Sequence, residues 1–352
     1  MHIPNPHDAT SYYRAMPLTT LGKTYPNDFN LDYAREISFS VAMKYHLAFF
    51  QRPSTGSELE AIKIFKRLGI PVIVDYDDLL FSLPTDNPAY QAYMNKQTQE
   101  TIISIMRAAD CIWVSTKELK RCIQLPHASL NEKVFVIPNC LDDTHLLIGD
   151  KKSPPEKRTP SVLWRGSPTH ERDVMEYARE ITECSQDTRY SFVFAGWNPW
   201  FLTDVMKQNQ AMVSGALPVG EFMDFIYGNA PRIGMVPLHD SRFNRCKSNI
   251  AWLEMTWAGA AVLAPDWEEW KKPGITTYSN SDDFKIGLQS LLQSHPDRLL
   301  ELNKMSWDHI QENFILSKVN HLRMDTIRAT LGKNKWPNGW QNISDDDVME
   351  LE

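Results

Sequence analysis

Short apolar runs that alternate with helix-like stretches constrain the fold of this chain more than any other feature. The runs are continuously apolar, which is typical of strands covered on both faces. Between two of them, apolar residues recur at helical spacing until Gly69 ends the pattern. This β–α–β order predicts parallel sheets with right-handed crossovers. The predicted strands are Leu47–Phe50, Pro71–Asp75, Cys111–Ser115, Val134–Ile137, Ser161–Trp164, Ser191–Ala195, Arg232–Val236 and Ala261–Ala264.

Length and composition favour two globular domains. The 352 residues exceed the roughly 250–300 that one core usually reaches. With 42% hydrophobic and 23% charged residues, the composition excludes a disordered, collagenous or disulfide-framework protein. The polar, proline-containing segment Lys151–Thr159 suits an exposed linker. We therefore expect an α/β fold with two Rossmann-like domains facing a cleft, over 1–150 and 151–300. Helices over 301–335 would pack back on the first domain, and an acidic tail would follow over 336–352.

The sequence favours a cytoplasmic protein. It contains no run of the roughly 18–20 apolar residues that would span a bilayer, and Met1–Pro6 shows no signal-peptide pattern. The net charge of −7 owes much to the tail, since five of the last eight residues are acidic. The odd number of cysteines and the absence of a C-x-x-C spacing predict reduced thiols rather than disulfides or a zinc site. These cysteines are Cys111, Cys122, Cys140, Cys184 and Cys246.

Two segments of the second half carry residues suited to an anion. In the first, a strand is followed by a loop with Arg165, Gly166 and Ser167, and a helix is predicted to start near Thr169. Glycine permits close backbone approach, free amides at a helix start favour an anion, and arginine can bind phosphate in a bidentate way. An ordinary strand–turn–helix with a surface arginine would show the same pattern.

In the second segment, a polar loop leads to Lys247 and Ser248, which we place at a helix start. Glu254 follows Lys247 by seven residues, about two helical turns, so the two are expected to share a face. A lysine and a helix N-terminus suit a diphosphate, and a carboxylate suits the paired hydroxyls of a ribose. The alternative is a pair of solvated charges. Solvated charges are less favoured, because Glu254 has apolar neighbours and a carboxylate in apolar surroundings needs a partner.

These segments resemble the donor half of nucleotide-sugar glycosyltransferases with the GT-B fold, a group that includes the retaining enzymes that build bacterial polysaccharides. The resemblance covers roughly Val134 to Ser279. Its motifs are G-S-x-x-H-x-x-D (Gly166, Ser167, His170, Asp173), the strand end Phe194-Ala195-Gly196, N-x-x-K-S-x-x-x-x-x-E (Asn244, Lys247, Ser248, Glu254) and Trp257-Ala258-Gly259.

The resemblance implies that 151–300 binds the donor and 1–150 the acceptor. The donor diphosphate would lie against Arg165 and Lys247, and Glu254 would bind the nucleotide ribose. His170 would either point at the donor phosphates or have a capping or structural role. The resemblance also implies that no metal is needed. The family pattern has two glutamates eight residues apart. Glu254 matches the second, whereas Cys246 stands at the position of the first. The role of the first glutamate is therefore not carried over.

An acidic segment follows the second predicted strand. Asp75, Asp77 and Asp78 would lie at the carboxyl edge of a parallel sheet, where ligands bind. Asp77 or Asp78 could act as a general base for an acceptor hydroxyl. Asp75 and Asp77 could bind a divalent metal, or the acids could be caps that shape a loop. The metal is least favoured, because hard-cation sites also rely on substrate phosphates, which are expected in the other domain.

The first half also carries loops that could reach an acceptor. Arg14 and His7 are acceptor-side candidates, with a surface arginine and a solvated loop as the alternative. The patterns S-Y-Y-R-x-x-P, F-F-Q-R-P and V-D-Y-D-D are similar to glycosyltransferases of tailed bacteriophages. After Gly196, the aromatic residues Trp197, Trp200 and Phe201 could stack on a base or sugar, or pack within the domain.

Together these features predict a glycosyltransferase that moves a hexosyl or pentosyl group from a nucleotide diphosphate-sugar, UDP-linked by preference, to a hydroxyl. The phage-like first half favours a hydroxylated base in duplex phage DNA as acceptor. A basic groove would then be needed, and the cations available are Arg14, Lys44, Arg52, Lys63, Lys66 and Arg67. The alternatives are a glycan or lipid-linked acceptor, a nucleotide-sugar epimerase, or a non-catalytic Rossmann-pair scaffold.

Overall fold

The computed structural model describes residues 1–3, 8–25, 29–32, 37–124, 128–143, 151, 153–206 and 210–333. The chain divides into two compact units. Unit 1 comprises residues up to Pro138 and those from Val319 onward, and unit 2 comprises Asn139–Lys318. The first division therefore precedes the segment Lys151–Thr159 that the sequence suggested as a linker. Each unit is an α/β structure built on a parallel sheet.

Unit 1 contains a four-stranded sheet in the order β1-β2-β3-β4. The runs predicted from the sequence form these strands, and all four pair in parallel, as the β–α–β order predicted. The strands are β1 (Ala48–Gln51), β2 (Val72–Tyr76), β3 (Cys111–Val114) and β4 (Val134–Val136). The helices are α1 (Ala9–Arg14), α2 (Met16–Thr24), α3 (Phe39–Ala42), α4 (Gly56–Arg67), α5 (Tyr90–Tyr93), α6 (Lys96–Ala108) and α7 (Lys117–Gln124), with a 3-10 helix over Ala128–Lys133.

Helix α4 shows how local sequence sets these elements. Thr55 caps its first turn and forms a capping box with Glu58, which satisfies amides that the helix itself leaves unbonded. The apolar residues Ile62 and Phe65 are three positions apart, so they lie on one face and are buried. The helix ends before Gly69, which takes a positive φ of 72° and turns the chain into β2.

Unit 2 contains a six-stranded sheet in the order β10-β9-β8-β5-β6-β7. The strands are β5 (Thr159–Arg165), β6 (Ser191–Ala195), β7 (Ala211–Gly215), β8 (Pro231–Met235), β9 (Ala261–Pro265) and β10 (Thr276–Tyr278). The helices are α8 (Glu171–Glu176), α9 (Ala178–Cys184), α10 (Trp200–Thr203), α11 (Val219–Asn229), α12 (Arg242–Arg245), α13 (Ile250–Trp257), α14 (Ser281–Gln293) and α15 (Pro296–Asn313), with 3-10 helices over Pro168–His170 and Glu268–Trp270. The predicted runs form four of these strands, whereas β7 and β10 were missed.

The central strand β5 explains the two-sided core of unit 2. Successive side chains of a strand point to opposite faces of the sheet. Val162 and Trp164 accordingly join one buried apolar cluster, and Leu163 joins another on the opposite face. All three are at most 3% exposed. A strand buried on both faces reads as a continuous apolar run, which is why the sequence revealed it.

Helix α16 (Leu316–Lys333) ends the described chain. It begins in unit 2, and from Val319 it belongs to unit 1. There Asn320 donates to the Thr20 hydroxyl at 2.6 Å. Among the described residues, the helices include none with the length and apolar character that a bilayer crossing requires. All five cysteines are buried free thiols.

Candidate functional site

The order of the unit 2 sheet identifies one edge as the place for a ligand. From β5 the chain moves through β6 and β7 to one side, and then crosses to β8 on the other side of β5. The strand order therefore reverses between β5 and β8. In parallel sheets of this kind, ligands bind beyond the carboxyl ends of the strands at such a reversal. Arg165 is the last residue of β5, and the loop that follows β8 leads to Lys247.

Arg165 and Glu254 form the first part of this site. Glu254 lies on α13 and is 2% exposed. Its Oε2 accepts a hydrogen bond from Arg165 Nε, and the Arg165 guanidinium lies 5.8 Å from the centre of the Phe222 ring. The partner that a carboxylate in apolar surroundings requires is therefore Arg165. Since the Arg165 side chain keeps 19% of its surface exposed, it still reaches solvent.

Lys247 belongs to a second part of the site, which is a hydrogen-bonded chain. Lys247 Nζ lies 3.3 Å from His170 Nε2, and His170 Nδ1 lies 2.8 Å from Asp173 Oδ2. The other carboxylate oxygen of Asp173 accepts from the His239 amide at 3.1 Å and from Asn244 Nδ2 at 2.6 Å. Four residues of the motifs quoted above, namely His170, Asp173, Asn244 and Lys247, thus meet at one place.

The pKa shifts in this chain agree with its geometry. Burial lowers the pKa of His170, and the charge of Lys247 lowers it further, while Asp173 opposes both. For Asp173, burial alone would raise the pKa, but the hydrogen bond to His170 and the charge of Lys247 outweigh it and lower the pKa. Asp173 is therefore an anion and His170 a neutral imidazole at neutral pH.

Two glycines let the backbone approach closely at the strand ends. Gly196 follows β6 with a φ of +99°, and a Cβ there would lie 2.5 Å from the Gly166 carbonyl oxygen. At Gly166, a Cβ would lie 2.5 Å from the Trp164 ring. A hydrogen bond from the Gly166 amide to the Ala195 carbonyl at 2.9 Å joins the two loops. Only glycine fits at position 196 without strain, because a residue with a side chain is unfavourable at this φ.

The structure corrects the predicted start of the helix after Lys247. Helix α13 begins at Ile250 with Asn249 as its N-cap, so Lys247 and Ser248 precede the helix. The expectation that Lys247 and Glu254 share a helix face is therefore wrong. The Ser248 hydroxyl accepts from Asn139 Nδ2 at 2.7 Å. The other predicted serine, Ser167, is exposed and bonds to the Thr169 hydroxyl at 2.7 Å.

The aromatic residues after β6 pack mainly on each other. Trp197 meets Trp164 edge to face at 6.1 Å between ring centres, and Phe201 lies 6.2 Å from Trp197. Trp200 remains 57% exposed. This geometry favours packing for Trp197 and Phe201, and it leaves only Trp200 with an open ring surface.

In unit 1, Arg14 and Asp75 form a buried ion pair. Asp75 is fully buried and Arg14 is 1% exposed. Arg14 Nη2 donates to Asp75 Oδ1 at 2.5 Å, and Arg14 Nε lies 3.1 Å from both carboxylate oxygens. Arg14 also donates to the Ile137 carbonyl. These contacts favour a structural role for both residues over the acceptor-side role considered for Arg14 and the catalytic role considered for Asp75, since neither side chain reaches solvent.

Asp77 and Asp78 share a partner that the sequence analysis did not nominate. Arg52 follows β1 and donates to Asp77 Oδ1 at 2.9 Å through Nε and to Asp78 Oδ2 at 2.9 Å through Nη2. Burial would lower the pKa of Arg52, but the two carboxylates outweigh it and raise the pKa. Arg52 has a positive φ of 47°, which is uncommon outside glycine. The F-F-Q-R-P pattern drew attention to the segment, but no sequence signal shows the φ or the pairing.

Two other predictions concern positions that the structure does not describe. His7 and the tail over 336–352 lie outside the described residues. Within the described ranges, no group of three or more His, Cys, Asp or Glu side chains is arranged to hold a metal ion.

Comparison with known proteins shows the fold. No protein-family model matches the chain, and no curated protein matches its sequence. Among solved structures, sucrose-phosphate synthase from Thermosynechococcus elongatus matches with a TM-score of 0.58 and 14% identity over 83% of this chain and 75% of that chain. HepE from Anabaena, solved in complex with UDP and glucose, matches with a TM-score of 0.58 and 11% identity over 89% and 84%.

A UDP-forming α,α-trehalose-phosphate synthase from Burkholderia vietnamiensis matches with a TM-score of 0.57 and 11% identity over 81% of this chain and 72% of that chain. The chain therefore has the GT-B fold, an α/β architecture with two Rossmann-like units. The likeness to phage glycosyltransferases stays a hypothesis from sequence patterns.

Proposed function

We propose that this protein is a glycosyltransferase that moves a sugar from a nucleotide diphosphate-sugar to a hydroxyl. The observation that carries the proposal is the placement of two pairs at the strand-order reversal of unit 2, namely Arg165 with the buried Glu254 and Lys247 with His170. The names of two fold neighbours support UDP as the nucleotide, because one is UDP-forming and another was solved with UDP and glucose.

The two cations account for the chemistry of the donor. As the bond between the sugar's anomeric carbon and the diphosphate oxygen breaks, negative charge grows on the departing diphosphate. Arg165 and Lys247 are held in place before the reaction, so they stabilise this charge without reorganising. Glu254 either accepts from the ribose hydroxyls or orients Arg165, which it already contacts. This scheme needs no resident metal, because the two cations supply the positive charge.

The acceptor hydroxyl must lose a proton as the new glycosidic bond forms. If configuration inverts, a base is required, and Asp77 or Asp78 is the candidate because both side chains are partly exposed. If configuration is retained, the leaving phosphate can take the proton. The anomeric configuration of the product distinguishes these two routes.

The charges of unit 1 do not favour duplex DNA as acceptor. Of the cations considered for a basic groove, Arg14 is buried against Asp75, and Arg52 pairs with Asp77 and Asp78. Lys63 and Lys66 also pair with acids. Paired cations release fewer counterions from DNA and weaken binding. We therefore propose a glycan or lipid-linked hydroxyl as the acceptor class, and a hydroxylated DNA base as the alternative.

Mass spectrometry of products tests the proposal. The protein is incubated with a panel of nucleotide diphosphate-sugars and with glycan, lipid-linked and hydroxymethylated-DNA acceptors, with and without EDTA. We expect one acceptor to gain a sugar mass from a UDP-sugar, and EDTA to leave the yield unchanged. Conversion of the donor without acceptor to an isomeric nucleotide sugar would instead indicate an epimerase. Neither reaction, together with no nucleotide binding, would indicate a scaffold and refute the proposal.

A further inference from the structure

The chain of hydrogen bonds from Asp173 to Lys247 determines which nitrogen of His170 carries the proton. Because Asp173 is an anion that accepts from Nδ1 at 2.8 Å, the proton must be on Nδ1. The lone pair of Nε2 then faces Lys247 Nζ at 3.3 Å, so the ammonium donates to the neutral imidazole. The lowered pKa of His170 keeps this arrangement at neutral pH.

We propose that His170 is a positioning residue, which holds the Lys247 ammonium through Nε2 at the point where the donor diphosphate binds. This inference rests on the proposed function, and it assigns His170 a role through Lys247 rather than direct contact with phosphate. A lysine side chain is long and flexible, and an acceptor that fixes its end reduces the entropy lost when the phosphate binds.

The imidazole is itself held through Asp173. Asp173 is fixed by the His239 amide and by Asn244 Nδ2, both from the segment that follows β8. The ring therefore has little freedom to rotate away from Lys247. The charged groups that act on the ring are Lys247, Asp173 and Arg165.

Two substitutions separate the two nitrogens of the ring. In His170→Asn the amide nitrogen can replace Nδ1 and donate to Asp173, but the shorter side chain offers Lys247 no acceptor in place of Nε2. In His170→Gln the longer side chain can place its oxygen near the position of Nε2 and accept from Lys247, while the Asp173 bond is lost. If His170 matters only structurally, through its bond to Asp173, His170→Gln should weaken UDP binding more than His170→Asn. If His170 positions Lys247, His170→Asn should weaken UDP binding more than His170→Gln.

Calorimetric titration with UDP measures the difference. We expect His170→Asn to lower UDP affinity about tenfold, which corresponds to about 1.4 kcal/mol. We expect His170→Gln to stay within about threefold of wild type. The exposed His295→Asn serves as a control and should not change the affinity. Thermal unfolding of each variant shows whether it is folded. Equal losses in Asn and Gln, or a larger loss in Gln, would overturn the proposal.

A double-mutant cycle tests whether His170 acts through Lys247. If His170 acts through Lys247, then His170→Asn should change UDP affinity by less than about twofold once Lys247→Ala is present, because coupled residues are not additive. An undiminished effect in the Lys247→Ala background would overturn the inference. Failure of the proposed function is a separate result, because wild type would then bind no UDP at all.

Discussion

The buried pair of Arg14 and Asp75 makes a quantitative prediction about stability. Burial raises the pKa of Asp75, and the charge and hydrogen bonds of Arg14 oppose this shift. Asp75→Asn leaves the Arg14 cation buried without its counter-charge. Arg323, another fully buried cation, also acts on Asp75. Breaking one side of a buried pair costs about 3–5 kcal/mol. For a unit of 150–250 residues, this corresponds to a fall in Tm of roughly 6–20 °C.

Scanning calorimetry with and without UDP measures this fall. UDP is expected to raise only the transition of unit 2, because a ligand stabilises the state that binds it. The transition that does not respond to UDP is then unit 1, and Asp75→Asn should lower it. The double variant Arg14→Met with Asp75→Leu should cost less than the single change, since it leaves no charge unpaired. A shift below about 1 kcal/mol for Asp75→Asn, with a normal UDP response, would refute a structural role for this pair.

Three further predictions concern local geometry. Gly196→Ala should lower the free energy of unfolding, measured in urea, by more than about 2 kcal/mol. Gly215→Ala is also at positive φ but in open space, and it should lower this free energy by only about 1–2 kcal/mol. Equal losses would contradict the close contact at Gly196. The pKa of His170 is lowered in the folded state, so protons bind the unfolded chain more readily. The free energy of unfolding should therefore fall as the pH drops below about 6.5. In His170→Gln this contribution to the pH dependence should be absent. Arg52→Gly should be more stable than Arg52→Ala by about 0.5–1 kcal/mol, because only glycine relieves the positive φ; an equal or lower stability would contradict the strain.

Sequence reasoning succeeded where burial leaves a pattern in the residues. Continuous apolar runs predicted all four strands of unit 1 and the four inner strands of unit 2, since strands covered on both faces tolerate few polar residues. The strands β7 and β10 were missed. Residues of β7 are only partly buried at the sheet edge, and β10 is a three-residue strand that begins with two threonines. Their burial depends on neighbours that the local sequence does not reveal.

The candidate site could be predicted in its residues but not in its contacts. Motif spacing brought Arg165, Lys247 and Glu254 to attention. The pairing of Glu254 with Arg165 joins residues 89 positions apart, and that of Lys247 with His170 joins residues 77 apart. Helix spacing predicted that Glu254 and Lys247 share a helix face, which is wrong because α13 begins only at Ile250. The positive φ of Arg52 had no sequence signal at all.

The central claim is that the loops at the carboxyl edge of unit 2 bind a diphosphate through Lys247. Calorimetric titration of UDP into wild type, Lys247→Ala and Lys285→Ala tests it most directly. Lys285 is a control from the same unit, where it pairs with Glu183. We predict that wild type binds UDP, that Lys247→Ala weakens binding about tenfold or more, and that Lys285→Ala does not. Equal affinity of Lys247→Ala and wild type, or no binding of UDP by wild type, would contradict the claim.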